Sequence, residues 1–140
     1  MKNLLLCSIL ISSFSTSLFA QKIVRQKSPE GAKVYIVSPK NNATVSRKFK
    51  VVFGLVGMGV APAGYKKENT GHHHIQVDGK SLPPMDRPML AQVTHFGGGQ
   101  TETMLELKPG KHTLRLILGD YIHVPHNPPV ISEEITVYVK

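Results

Sequence analysis

Six of the seven histidines in this sequence fall in three short runs. The runs are His72-His73-His74, then His95, then His123 and His126. Each run adjoins glycine or proline, which is typical of loops and strand ends. Imidazole is the commonest metal ligand in proteins, and it titrates close to neutral pH. The runs therefore indicate a metal or anion site, although they do not define a reaction.

The residue types limit which metal such a site would take. Neutral imidazoles suit zinc, copper or nickel. The one cysteine, Cys7, lies in a predicted export signal, so a thiolate site is excluded from the mature chain. The loop methionines Met58, Met85 and Met89 would favour copper, unless they only fill space. We predict copper or zinc as cofactor, with these metal ligands: His72, His74, His95, His123 and His126.

The spacing of the histidines indicates which of them point the same way. On a strand, alternate side chains share a face, so His72 and His74 can both reach one ion. His73 would point to the opposite face, and we expect it to be a buried, hydrogen-bonded core residue. The stretch His123–His126 contains a proline, which prevents a helix and makes the loop stiff enough to present two imidazoles.

The elements that must position these residues are strands, because the apolar residues recur with a period of two. No stretch supports a helix of ten residues, and turn signals separate the apolar segments. The pattern predicts an all-β fold, an immunoglobulin-like antiparallel β-sandwich of about seven strands. The predicted strands cover residues 34–37, 48–55, 72–77, 90–94, 101–107, 114–118 and 135–139.

The alternation also predicts a core. The residues expected there are Phe49, Val51, Phe53, Ile75, Val77, Leu105, Leu114, Leu116, Ile135 and Val137.

The predicted topology brings the histidine runs together. In an immunoglobulin-like sandwich, the loops that follow the second, fourth and sixth strands lie at one end. The three runs fall in or beside those loops. His112, just before the sixth strand, belongs at the other end, where we expect it to bond back to the preceding corner.

The N-terminus has the features of a secretory signal peptide. Lys2 precedes an apolar run over residues 4–19, and Ala20 suits cleavage before Gln21. We therefore divide the chain into a signal peptide at 1–20, a flexible lead-in at 21–32 and one β-sandwich domain at 33–140. This predicts a periplasmic or secreted protein. No transmembrane segment is expected after cleavage, because no second apolar run is long enough.

The chain is basic, with a formal net charge of +8 at pH 7. Its lysines are scattered, and neither a basic helix nor interleaved basic and aromatic residues occur. We therefore expect no nucleic-acid partner. Besides a metal ion, the partners left open are another envelope protein and an anionic polymer.

Four segments resemble a known family, the one called domain of unknown function 4399. They are residues 57–64 (GMGVAPAG), 70–74 (TGHHH), 95–103 (HFGGGQTET) and 118–126 (LGDYIHVPH). The resemblance extends over about 34–139. It implies a small exported bacterial protein with a single domain, and it implies no established activity.

Three functions compete at this point. The first is a periplasmic histidine-rich metal-binding protein that acts as a carrier, buffer or partner protein. The second is a metal-dependent enzyme of redox or hydrolytic type, although no nucleophile with an oriented base stands out and no catalytic residue is assigned. The third is a non-catalytic sandwich module that binds a glycan or another part of the envelope.

Overall fold

Alternating apolar residues build two sheets in the computed structural model, which describes residues 23–140. The predicted signal peptide lies outside the described residues. Within them there is no helix, and so none long and apolar enough to cross a membrane. The strands are β1 (Lys33–Ser38), β2 (Ala43–Val45), β3 (Lys48–Val56), β4 (Gly59–Val60), β5 (Thr70–Val77), β6 (Thr94–His95), β7 (Glu102–Glu106), β8 (Gly110–Gly119) and β9 (Ile135–Val139).

The strand order confirms the immunoglobulin-like sandwich. The small sheet has the order β1-β3-β7, and the large sheet has the order β2-β9-β8-β5-β4, with β6 also paired to β5. Most pairs are antiparallel, whereas β2–β9 and β4–β5 are short parallel pairs. In the large sheet β8 pairs with both β5 and β9, and β1, β3 and β7 make the other sheet. This is the division of strands found in immunoglobulin domains.

The predicted core lies between these sheets. Three of its ten residues, Val77, Leu105 and Ile135, are partly buried and pack against the centre. The seven buried members are Phe49, Val51, Phe53, Ile75, Leu114, Leu116 and Val137.

The predicted strand over residues 90–94 is wrong except at its last residue. The strand found there, β6, is Thr94–His95, and it pairs with β5 of the large sheet. The stretch before it holds Pro83, Pro84 and Pro88. Proline lacks the N–H that a sheet ladder needs, so most of residues 80–93 form a loop. Near its end this loop reaches the histidines, because Met89 donates its N–H to the carbonyl of His123.

His112 occupies the predicted corner at the other end of β5 from His72. Its Nδ1 lies 2.7 Å from Asp78 Oδ2, and its Nε2 lies 2.9 Å from the Lys108 carbonyl oxygen. The hydrogen bond to the Asp78 carboxylate raises the pKa of His112 above its usual value. His112 therefore fastens the β7–β8 corner, away from the other histidines.

Residues 23–29, here called the N-terminal segment, are tied to the loop after β8. Asn127 donates its N–H to the Gln26 carbonyl at 2.8 Å, and its own carbonyl accepts the N–H of Ser28 at 3.2 Å. Arg25 Nε donates to the carbonyl of Pro125 at 2.9 Å. The N-terminal segment thus supports the loop that carries His123 and His126.

Candidate metal centre

The start of β5 places two imidazoles on the outer face of the large sheet, away from the small sheet. His73 lies opposite Leu118 of the core, so His72 and His74 face the other way. The rings of His72 and His74 lie side by side, with centroids 4.6 Å apart. Both side chains have 0% exposure, because loops cover this end of the sheet.

His73 has the structural role predicted for it. It is fully buried, and its ring centroid lies 5.0 Å from that of Phe53 in the core. Its Nδ1 lies 3.2 Å from the Gln100 carbonyl oxygen. Burial lowers the pKa of His73, so the ring is neutral at pH 7. His73 therefore contributes to packing and takes no part in the outer cluster.

The third imidazole comes from a tight turn built around Asp120. Asp120 Oδ1 accepts the N–H of Ile122 at 3.0 Å and of Val124 at 2.9 Å. The Asp120 carbonyl accepts the N–H of His123 at 2.9 Å. His123 has φ 68, a left-handed conformation that costs about 1–2 kcal/mol in a residue with a Cβ. The turn holds this conformation and aims the ring at β5.

Three histidine nitrogens converge at this point. His123 Nδ1 lies 2.9 Å from His72 Nε2 and 3.4 Å from His74 Nε2. One ligand atom from each of the three residues lies within 4.8 Å of the other two. Nitrogens about 2.0–2.1 Å from a tetrahedral metal ion are about 3.3 Å apart. The group formed by His72, His74 and His123, here called the histidine triad, can therefore hold a metal ion.

His95 lies at the edge of the triad. Its Cα is the partner of His74 in the β5–β6 pair, so the two side chains share a face. The ring centroid of His95 is 5.0 Å from that of His123 and 6.2 Å from that of His74. Its side chain is exposed, unlike those of His72 and His74. The edge of the site therefore carries a solvent-exposed imidazole, that of His95.

His126 is not one of the three histidines whose nitrogens converge, although it is close enough for its charge to lower the pKa of His72. Its ring is fully buried, with Nε2 3.1 Å from the Thr70 carbonyl oxygen and Nδ1 3.4 Å from the Leu118 carbonyl oxygen. A Cβ built on Gly71 would lie 2.9 Å from His126 Cε1, so only glycine leaves room for this ring. The nitrogens of His126 thus face main-chain carbonyls.

The triad is neutral at pH 7. Burial, followed by the nearby charges of His123 and His95, lowers the pKa of His72 to about 4. Burial, followed by His72 and His123, lowers the pKa of His74 to about 3. Burial, then His95, lowers the pKa of His123. Metals bind imidazole only in its neutral form, so these shifts keep the ligands ready for an ion.

The buried imidazoles carry unpaired nitrogens. Nδ1 of His72 and Nδ1 of His74 have no hydrogen-bond partner among the described residues. The Asp120 Oδ2 atom is also buried and without a partner within residues 23–140. Such groups cost free energy in the folded state, and they are more frequent at functional sites than in ordinary cores.

Met89 is a further member of this neighbourhood. It is 3% exposed, and its N–H donates to the His123 carbonyl at 2.9 Å. A Cβ built on Gly119 would lie 2.5 Å from His74 Cε1 and 3.0 Å from Met89 Cε. The Met89 methyl and the His74 ring therefore both lie directly above Gly119. The sequence did not separate Met89 from the other loop methionines, because periodicity cannot place a residue in a proline-rich loop.

The chain is thus an immunoglobulin-like sandwich that carries a histidine cluster on the outer face of its large sheet. The chain belongs to the family described as Domain of unknown function (DUF4399), whose model matches residues 51–140. The matched region includes every histidine of the sequence. No curated protein shows significant sequence similarity to the chain.

Two solved structures resemble the chain at low identity. The fibronectin(III)-like modules of Clostridium thermocellum CbhA share 15% identity, cover 76% of this chain and 95% of their own, and superpose with a TM-score of 0.46. A lytic polysaccharide monooxygenase of Jonesia denitrificans shares 16% identity over 73% of this chain, with a TM-score of 0.38. The match spans 60% of the monooxygenase chain.

Proposed function

We propose that this protein is an exported metal-binding protein that holds copper or zinc at the histidine triad and serves as a carrier, buffer or partner protein. The observation that carries this proposal is the convergence of Nε2 of His72, Nε2 of His74 and Nδ1 of His123. Two of these ligands lie on a rigid strand, and the third lies in a turn held by hydrogen bonds. A site whose ligands are already in place binds without a large ordering cost.

The exposed rim supports a role in metal transfer. His72 and His74 are fully buried, whereas His123 is half-buried and His95 is exposed. An incoming ion can meet His95 first, and a partner protein can approach from the same side. The group that can hold an ion contains no Asp or Glu among the described residues.

A calorimetric titration tests the proposal. Cleaved protein without a polyhistidine tag is titrated with Zn²⁺, and one ion per chain is expected to bind. The double variant His72→Leu/His74→Leu removes two ligands and should lose this binding. The control is His112→Gln, which removes a histidine at the far corner and should bind as the parent does. A double variant that retains the parent affinity would rule out the triad as the site.

Two further measurements separate the alternatives. Metal content of protein purified from its own cells, measured by mass spectrometry, identifies the ion. Turnover assays on the loaded protein, with superoxide and with ester substrates, should show no rate above that of the free ion. A rate that depends on His74 would support the enzyme instead. Failure to bind any metal, together with retention on glycan or anionic-polymer columns, would support the envelope-binding module.

The exported location is part of the same proposal. It is supported by Lys2, the apolar run at 4–19 and Ala20, which together suit a cleaved signal peptide. We expect N-terminal sequencing of the protein from the cell envelope to begin at Gln21. A mature protein that begins at Met1 would contradict export.

A further inference from the structure

We infer that the ion held by the histidine triad is copper(I), and that the thioether of Met89 is its fourth ligand. This inference rests on the proposed function, and it narrows the metal from copper or zinc to one oxidation state of copper. It depends on where Met89 lies, on the charge of the ligands and on how deeply the site is buried.

Met89 is held at the site by its main chain as well as by its side chain. Its N–H donates to the carbonyl of His123 at 2.9 Å, which links the loop 80–93 to the turn that carries the third imidazole. Its side chain is buried, and it approaches the ring of His74 above Gly119. Gly119 is the cross-strand partner of His72. The Met89 methyl and the His74 ring therefore both lie above the residue that faces His72 on the neighbouring strand.

Gly119 has a specific part in this arrangement. A Cβ at this position would lie 2.5 Å from the His74 ring, closer than real contacts, and 3.0 Å from the Met89 methyl, tighter than most. Any larger residue would push the ring and the thioether apart. The glycine thus leaves the space in which the imidazole and the thioether come together.

The charge of the ligand set favours a monovalent ion. Three imidazoles and one thioether are all neutral, and the triad contains no carboxylate. The carboxylate of Asp120 lies near His123, but it accepts the N–H groups of Ile122 and Val124 and is outside the ligand group. A neutral ligand set compensates little of an ion's charge, and the cost of burying an ion rises steeply with that charge. His72 and His74 are fully buried, so a divalent ion would have little water on that side. Thioether and imidazole ligands also suit copper(I) better than zinc.

A matched pair of methionine variants tests the inference. Met89→Leu replaces the thioether with an apolar side chain of similar volume, a change that well-packed sites tolerate. Met85→Leu is the control, because Met85 lies in the same loop and is only half-buried. Circular dichroism and urea unfolding check that both variants fold. Copper(I) affinity is measured without oxygen by competition with bicinchoninate, and Zn²⁺ affinity is measured by calorimetry.

We expect Met89→Leu to bind copper(I) at least about tenfold more weakly than the parent, with Zn²⁺ affinity within about threefold of the parent. Met85→Leu should match the parent for both ions. X-ray absorption of the copper(I) form should show one sulfur ligand in the parent and none in Met89→Leu.

The outcomes distinguish this inference from the proposed function. A parent that binds copper(I) with no sulfur ligand, or a Met89→Leu variant with parental copper(I) affinity, would overturn the inference and leave the metal site standing. A parent that binds Zn²⁺ but not copper(I) would also overturn the inference and leave the metal site standing. A parent that binds neither ion would overturn both.

Discussion

At the residue scale, the histidine triad lowers the stability of the folded protein. His72 and His74 are fully buried, and their Nδ1 atoms have no hydrogen-bond partner within the described residues. An unpaired buried polar atom costs about 1–3 kcal/mol. His123 adds a left-handed backbone conformation. Costs of this kind are typical of residues that serve binding at the expense of stability.

Replacing one buried imidazole therefore tests whether the triad serves metal binding or stability. We expect His74→Leu to unfold in urea with a free energy equal to that of the metal-free parent or about 1 kcal/mol higher, because the unpaired Nδ1 is removed. The same variant should lose Zn²⁺ binding. A structural histidine would give the opposite result: a loss of about 2 kcal/mol or more in stability, with little change in binding.

The lowered pKa values predict how metal binding depends on pH. Protons compete with the metal for His72 and His74 only near pH 4 and pH 3. The pKa of His123 is also below its usual value. We expect Zn²⁺ affinity to change little between pH 7.5 and about 6.5, the value for free histidine, and to fall at lower pH. Calorimetry across this range checks it, and a loss centred above pH 6.5 would contradict it.

At the scale of elements, a strand and a turn together position the three imidazoles. β5 supplies His72 and His74 through simple alternation, so their spacing is set by strand geometry. His123 depends on the turn that Asp120 organises with one carboxylate oxygen. The turn is supported from outside by Arg25, whose guanidinium donates to the carbonyls of Pro125 and His126.

The turn can be tested apart from the ligands. Asp120→Ala removes the acceptor of two main-chain N–H groups, so we expect a loss of about 1–3 kcal/mol in stability and at least about tenfold in Zn²⁺ affinity. Asp120→Asn retains an acceptor oxygen and should lose less of both. Urea unfolding and calorimetry measure the two effects. Equal metal affinity in Asp120→Ala and the parent would show that the turn does not position His123.

At the scale of the whole molecule, the two ends of the large sheet respond to acid in opposite ways. His72 and His74 have lowered pKa values, so between about pH 6.5 and 4 the unfolded chain binds more protons there than the folded chain. The free energy of unfolding is therefore unaffected by these two groups above pH 6.5, and they lower it as the pH falls below that value. His112 has a raised pKa, so its contribution is complete below pH 6.5 and is lost as the pH rises through its folded value.

The triad should determine how stability changes in acid, because it has three histidines with lowered pKa values and the far corner has one with a raised value. We expect the free energy of unfolding of the metal-free protein to decrease from pH 6.5 to pH 5. The double variant His72→Leu/His74→Leu should show a smaller decrease over the same range. Urea unfolding at several pH values measures both slopes. Equal slopes would show that the two buried imidazoles do not control the acid response.

The sequence predicted the fold well, because two-residue periodicity reports directly which face of a strand is buried. Phe49, Val51 and Phe53 are core residues as predicted, and the corner role of His112 is confirmed. The strand at 90–94 failed because apolar residues in a proline-rich loop imitate a strand pattern. The convergence of His72, His74 and His123 followed from the predicted topology and agrees with the structure.

What the sequence determined by itself was the sandwich, the outward direction of His72 and His74, and the inward direction of His73, since all three follow from alternation on one strand. The tertiary structure alone decided the rest of the site. The His126 nitrogens face the carbonyl oxygens of Thr70 and Leu118, and the Met89 methyl lies beside the His74 ring above Gly119. Those positions lie in loops, where the path of the chain depends on long-range hydrogen bonds rather than on any local period.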